Sequence, residues 1–246
     1  MSQHFTKSYK FLGYNIFSGY SKNIFSFSSN KVINTINAYS YVKADSDAVF
    51  KNALQSSDIL VCDGSGIEIV CKIIFRTKIR RITGYEIFTQ GLNAANKGTN
   101  NKVFLFGSSE ENLKTMKEKI SENYPNVNCM YLSPAYKEEF NEEDNRQYLS
   151  VINNFRPDIL FVSLTAPKQE KWVNKVKNNI DALHIASVGA VFDFYSERIK
   201  RAPLLMRKLG FEWLYRSIKE PSRLGSRNLY AIPNFFYMVL KKILFK

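Results

Sequence analysis

An α/β fold, a parallel sheet with helices on both faces, is predicted by three features of this 246-residue chain. Short β-type runs alternate with amphipathic helical ones from about residue 31 to residue 190. The run DILVC (58–62) is apolar almost without interruption, as a strand covered on both faces is. Hydrophobic residues make up 45% and charged residues 23%, enough for one large domain with a sizeable core, or for one domain with an appendage.

Taken in order, the first 30 residues offer one strand, at 11–18. KVINTIN (31–37) reads as a strand, and Asp45 or Ser46 caps a helix through DAVFKNALQ, whose Ala48, Val49, Ala53 and Leu54 recur at helical intervals. DILVC follows as a strand, then IEIVCKIIF (67–75) as a helix despite its β-branched residues. GYEIFTQGLNAANKG (84–98) is a helix ending at Gly98 as a C′ glycine. KVFLFG (102–107) is a strand, and Ser108 or Ser109 caps the helix SSEENLKTMKEKISENY. VNCMYLS (127–133) is a strand, followed by a polar loop and a helix over about 142–154. DILFVSL (158–164) is a strand, PKQEKWVNKVKNNI a helix with proline in its first turn, and ALHIASVG (182–189) a last strand. No repeat or low-complexity tract interrupts the series.

From residue 203 the pattern turns helical and basic, which divides the chain into a domain at 1–202 and an appendage at 203–246. The net charge is +13, and the last 49 residues hold twelve Lys/Arg against two acids. Such a tail expects phosphates, anionic lipid or nucleic acid. Its basic residues share the segment with an apolar terminus, LYAIPNFFYMVLKKILFK, which suits lipid better than a nucleic-acid groove. Pro233, Lys241 and Lys242 interrupt that terminus, so it reads as interfacial rather than spanning. Cys62, Cys71 and Cys129 form no C-x-x-C pair and read as buried thiols of a reducing cytoplasm. The N-terminal stretch lacks the features of a signal peptide.

Asp63 closes the strand DILVC and enters a turn bracketed by Gly64 and Gly66. A carboxylate there can serve as general base on a substrate hydroxyl, or it can cap the helix that follows. The glycines let a ligand approach the backbone. Arg81 and Thr83 precede Gly84 and another helix start, while Lys168, Gln169 and Glu170 stand at a helix N-terminus suited to anion or sugar contacts. Arg216, Arg223 and Arg227, spaced seven and four apart, share a face if one helix carries them through Pro221. Guanidinium groups fork onto phosphate oxygens, so the cluster suits a diphosphate. Metal ligands are scarce, since His4 and His184 are the only histidines. DSD at 45–47 opens a helix and reads as capping; D-G-x-G is not the dinucleotide fingerprint.

Seven segments in order resemble the WecG/TagA/CpsF glycosyltransferase family: TIN (35–37), DGSG (63–66), RITGYEIF, FLFG (104–107), PKQEKW (167–172), VGAVFDFYSERIKRAP (188–203) and EWLYRSIKEPSR (212–223). The resemblance implies a Rossmann-like α/β core and a C-terminal appendage that brings the protein to the membrane. It implies inverting transfer of an N-acetylmannosamine-type sugar from a UDP donor to undecaprenyl-diphosphate-linked N-acetylglucosamine. The setting would be the cytoplasmic face of the membrane, in synthesis of teichoic-acid linkage units, enterobacterial common antigen or capsule. On this likeness Asp63 is the base, Thr35 and Asn37 line the pocket, and Arg216, Arg223 and, as a looser match, Arg227 meet the diphosphate. Gly64, Gly66, Arg81, Thr83, Gly84, Lys168, Gln169, Glu170 and Asp193 fall in the matching motifs and complete the expected substrate-binding set. Arginines can stabilise the leaving group without a bound metal, so no cofactor is expected. The implied partners are the UDP-sugar, the polyprenyl-linked acceptor and an anionic membrane surface reached through the tail, with no nucleic acid and with room for a homo-oligomer. One departure stands out: the family's G-x-PKQE reads TAPKQE here, with Thr165 in the glycine's place. A non-catalytic sugar-nucleotide sensor on the same fold is the alternative reading.

Overall fold

The computed structural model describes residues 8–25 and 30–245, with the Arg223 side chain outside the described set. Eight strands form one sheet: β1 (Ser8–Phe11), β2 (Tyr14–Phe17), β3 (Lys31–Ile36), β4 (Ile59–Cys62), β5 (Lys102–Gly107), β6 (Asn128–Leu132), β7 (Ile159–Ser163) and β8 (His184–Ser187). Their order is β1–β2–β4–β3–β8–β7–β5–β6, parallel throughout except for the β1–β2 hairpin at one edge. The helices are α1 (Ala38–Asp45), α2 (Ala48–Gln55), α3 (Ser65–Ile73), α4 (Gly84–Lys97), α5 (Glu110–Asn123), α6 (Glu142–Phe155), α7 (Lys168–Val176), α8 (Val191–Tyr195), α9 (Leu204–Lys208), α10 (Glu212–Lys219) and α11 (Ser226–Leu244).

Strand periodicity sorts the core into two layers. Ile59 and Val61 of β4 point, with Ile33, Ala186, Phe161 and Leu105, toward α4, α5 and α8. Leu60 and Cys62 point to the other face, where Tyr41, Phe50, Ile67 and Val70 cover them. On that same face, Phe104, Phe106, Leu160 and Val162 meet Tyr148, Ile152, Trp172 and Val173 of α6 and α7. Helices therefore cover both faces, as the uninterrupted apolar runs require.

Several local expectations shift. The stretch 11–18 contains most of a hairpin rather than one strand: Leu12 (φ 44°) and Gly13 (φ 97°) make a two-residue turn with both centres left-handed. Asp45 and Ser46 end α1, and the cap of α2 is Asp47, whose carboxylate accepts from the Phe50 N–H at 3.0 Å. Gly98 does cap α4, but in extended rather than left-handed backbone. Of the two serines before α5, Ser109 is the cap. At the C-terminus α10 stops at Lys219, a π-helical turn spans Pro221–Gly225, and α11 then continues through Pro233. Arg216 and Arg227 consequently stand on two helices, not on one face of a single helix. Proline is tolerated inside α11 although it removes one backbone donor.

α11 packs along α1. Ala231, Phe235 and Val239 are buried, with Phe235 5.4 Å from the Tyr41 ring and 6.5 Å from Phe11. The opposite side of α11 leaves Leu229, Tyr230, Tyr237, Leu240 and Leu244 exposed. No helix among the described residues is long and apolar enough to cross a membrane.

Candidate active site

Parallel pairing of β3 with β4 sets Thr35 opposite Val61 and Ile36 opposite Cys62, so the chain leaves the sheet at Asn37 and Asp63 side by side. The Asp63 N–H still donates to the Ile36 carbonyl at 2.9 Å. Asn37 then caps α1, its side-chain oxygen accepting from the Ser40 N–H at 3.0 Å. Gly64 turns the chain at φ 115°, where a side chain would be strained and its Cβ would lie 3.3 Å from that of Asn37.

Asp63 does not cap the helix that follows it. Gly64 is the N-cap of α3 and no side chain bonds there. The Asp63 carboxylate instead accepts the backbone N–H of Gly84, the first residue of α4. That reach depends on close packing: a Cβ on Gly84 would sit 2.6 Å from the Val188 carbonyl oxygen. Thr83 and Glu86 complete the start of α4 as a reciprocal capping box, at 2.9 and 3.2 Å. Gly66 opens α3 against Phe235 of α11, its would-be Cβ 3.5 Å from that ring.

Burial, and then the Glu212 carboxylate, push the Asp63 carboxyl up to about 6; Arg81, the Gly84 N–H and Arg216 pull in the opposite direction. Arg81 belongs to the loop before α4, while Glu212 and Arg216 belong to α10, which a turn of the C-terminal segment carries back to this point. Arg81 donates to the Arg207 carbonyl at 2.6 Å, and the Ser65 hydroxyl donates to the Gly210 carbonyl at 3.0 Å. Gly210, at φ 81°, is pressed so close that a Cβ would lie 2.6 Å from Ser65 and 3.1 Å from the Arg81 guanidinium. α10 starts two residues later with Glu212.

Aromatic rings carry the arginines. Arg201 lies 3.9 Å over Tyr85 and pairs with Glu212 at 3.6 Å. Arg216 lies 5.0 Å over Phe194 and pairs with Glu220 at 3.6 Å. Arg227 lies 4.4 Å over Tyr39 in the first turn of α1. A cavity of about 240 Å³ opens beside Tyr85, Phe194 and Tyr195; Asp63, half-buried, is not among its lining residues, and the docked turn lies next to it.

The remaining predicted residues are engaged elsewhere. Gln169, buried, ties two strand exits together: its oxygen accepts from the Leu164 N–H at 3.3 Å and the Gly189 N–H at 3.2 Å. Its amide donates to Glu170 at 2.8 Å, and burial pushes the Glu170 carboxyl up to about 7. Lys168 sits 3.8 Å over the Phe140 ring and donates to the Lys137 carbonyl, with burial lowering its pKa. Asp193 faces Arg198 at 3.6 Å and accepts from Asn112 at 3.4 Å, on the β5–α5 side. Thr35 is half-buried on β3. The structure thus gathers Asn37, Asp63, Gly64, Arg81, Gly84 and Arg216 around one point. It also adds Arg201, Arg207, Gly210 and Glu212, which the sequence reading did not single out. Arg201 and Glu212 lie in two of the quoted segments, but their pairing eleven positions apart, across α9 and the turn after it, leaves no local signal.

Comparison with known proteins bears on this arrangement. The model of the Glycosyl transferase WecG/TagA/CpsF family matches residues 17–246. The chain is 31% identical over 211 residues to the N-acetylglucosaminyldiphosphoundecaprenol N-acetyl-beta-D-mannosaminyltransferase of Bacillus subtilis (strain 168), covering 86% of this chain and 79% of that one. Proteins of the same name from Bacillus spizizenii and Staphylococcus aureus (strain MW2) are 29% and 28% identical, over 78% and 87% of this chain and 72% and 81% of theirs.

Proposed function

The chain belongs to the WecG/TagA/CpsF glycosyl transferase family, and from that premise we propose that it transfers an N-acetylmannosamine-type sugar from UDP to undecaprenyl-diphosphate-linked N-acetylglucosamine, in bacterial cell-surface polysaccharide synthesis. The observation that carries the reading is Asp63, a carboxylate held near pKa 6 at a strand end by burial and Glu212, with Arg81 and Arg216 beside it. Ionised at neutral pH yet basic enough to take a proton, it is matched to deprotonating an acceptor hydroxyl. The freed oxygen attacks the anomeric carbon from the face opposite UDP, the bond to the diphosphate breaks, and configuration inverts. Arg216, with Arg223 and Arg227, takes up the charge that develops on the leaving diphosphate, without calling on a metal. Thr35, Asn37, Gly64, Gly66 and Thr83 shape the surrounding pocket. Gln169, braced by Glu170, holds the exits of two strands, while Lys168 and Asp193, which the resemblance would also assign to substrate, are engaged with Phe140 and Arg198.

The direct test is UDP release by the purified protein with a prenyl-diphosphate N-acetylglucosamine acceptor and a panel of UDP-sugars. Acceptor-dependent release with one donor supports the reading and names the sugar; UDP-sugar binding with no release from any donor would replace it with a sensor. Arg216→Met is expected to lower kcat by about 10²-fold, as loss of one charge-stabilising donor does, with acceptor KM little changed.

Residues 203–246 act in this reading as the appendage that brings the domain to its lipid substrate at the inner membrane face. The exposed apolar side of α11, with Lys241 in its last turn, supports an interfacial rather than spanning mode. Co-sedimentation with anionic vesicles is expected to fall as salt rises and to be lost when Leu229, Tyr237, Leu240 and Leu244 are all changed to Ser. Undiminished binding by that variant would move the contact elsewhere.

A further inference from the structure

We propose that Glu212 is a positioning residue for the transfer, delivered beside Asp63 by the docked turn 207–212 and held there by Arg201. The proposal deepens the function above and rests on Asp63 being its base. Three contacts fix where Glu212 enters. Ser65, two residues past Asp63, holds the Gly210 carbonyl; Arg81, in the loop before α4, holds the Arg207 carbonyl; and Gly210 lies too close to both side chains for any other residue. With α10 beginning at Glu212, its first side chain is set down against the strand end. Arg201 then restrains it at 3.6 Å, while stacking on Tyr85, the neighbour of the residue whose N–H Asp63 accepts. Both members of this pair are largely buried, at 19% and 24% side-chain exposure, so the pair is more than a mobile surface contact.

The chemistry follows from like charge. Around Asp63 stand Glu212 and Arg216 from α10, Arg81 from the loop before α4, and the Gly84 N–H. The Cys62 thiol of its own strand is pushed upward by burial and by Asp63, and stays neutral. Without Glu212 the arginines would hold Asp63 as a weaker base; with it, the carboxylate keeps enough proton affinity to accept the acceptor's proton. The base is therefore fully tuned only while the segment carrying Glu212 is docked. A catalytic group in the domain and a charge in the C-terminal segment form one unit.

Two measurements on wild type, Glu212→Gln and Asp63→Asn test this. In the pH profile of kcat/KM, the acid-limb midpoint is expected near 6 in wild type and lower by at least about half a pH unit in Glu212→Gln. A purely structural role would depress the rate at every pH and leave the midpoint in place, which would overturn the proposal. The second arm needs no turnover: the Tm difference between Asp63→Asn and the parent is followed from pH 4 to 7.5 in the wild-type and Glu212→Gln backgrounds. It is expected to grow with pH in wild type and clearly less in Glu212→Gln; equal growth overturns the coupling. If Glu212→Gln does not fold, Glu212→Asp, which keeps the charge but shortens its reach, is read in both ways, and an unmoved midpoint and Tm difference count against the proposal. Absence of UDP release from wild type would overturn the transferase reading, while the thermal arm still decides whether Glu212 acts on Asp63.

Discussion

Asp63→Asn is expected to lower acceptor-dependent UDP release by about 10²–10⁴-fold, the contribution of one well-placed general base, while making the protein more stable above pH 6. The two effects share a cause. In the folded chain Asp63 titrates at about 6 against an ordinary 3.8. Between those values the folded state binds the proton that the unfolded state has released. Stability from this group is thus complete below the ordinary value and is lost as pH rises through about 6. Asparagine keeps the acceptor for the Gly84 N–H and carries no charge to desolvate, so it escapes that loss. The gain is at most about 3 kcal/mol. It should appear as a Tm difference that opens between pH 4 and 6 and is flat above. UDP binding, measured by titration, should stay within a few-fold of wild type. Near-normal turnover in the variant would remove Asp63 from the chemistry; a Tm difference independent of pH would remove the account of its burial.

The second large effect lies far from Asp63 in sequence. Phe235→Ala is expected to destabilise the protein by about 3–5 kcal/mol, the cost of emptying a packed aromatic site, read from urea denaturation. The ring is fully buried among Tyr41, Phe11 and Phe236 and rests against Gly66, at the opening of α3. Its removal leaves a cavity beneath the turn that carries Asp63, so part of the loss should show as reduced kcat under conditions where the variant is still folded. Phe235→Leu, which keeps most of the volume, should lose far less. A cost below about 1 kcal/mol for the alanine variant would mean that α11 does not dock on α1 in solution.

Much of the core was legible from local pattern. Uninterrupted apolar runs such as Ile59–Cys62 can form only where both faces are covered, and the structure covers both. The cap at Ser109, one of the two serines read as candidates, and the helix read over 67–75, which the structure places at Ser65–Ile73, also follow from residue type and spacing over a few positions. The readings that moved did so where a neighbour outside the local window decided. Leu12 takes a left-handed backbone because the β1–β2 pairing requires it, against the usual preference of that turn for Asn, Asp or Gly. Asp47 rather than Asp45 caps α2, since α1 occupies the residues before it; the same carboxylate meets Lys171 of α7 at 2.7 Å.

For the candidate site the division is sharper. The sequence alone set Asp63 at the carboxyl end of a buried strand and gave it a glycine on which the chain could turn, because strand burial and backbone freedom are properties of adjacent residues. It also supplied the arginines. Only the tertiary structure decided that Asp63 bonds to Gly84 instead of capping α3, and that Glu212 and Arg216 arrive beside it while Lys168 turns to Phe140. Proton affinity and ion pairing depend on distance through space. The partners that tune Asp63 from α10 lie about 150 residues away along the chain, and what brings them in is the contact of Gly210 and Arg207 with Ser65 and Arg81.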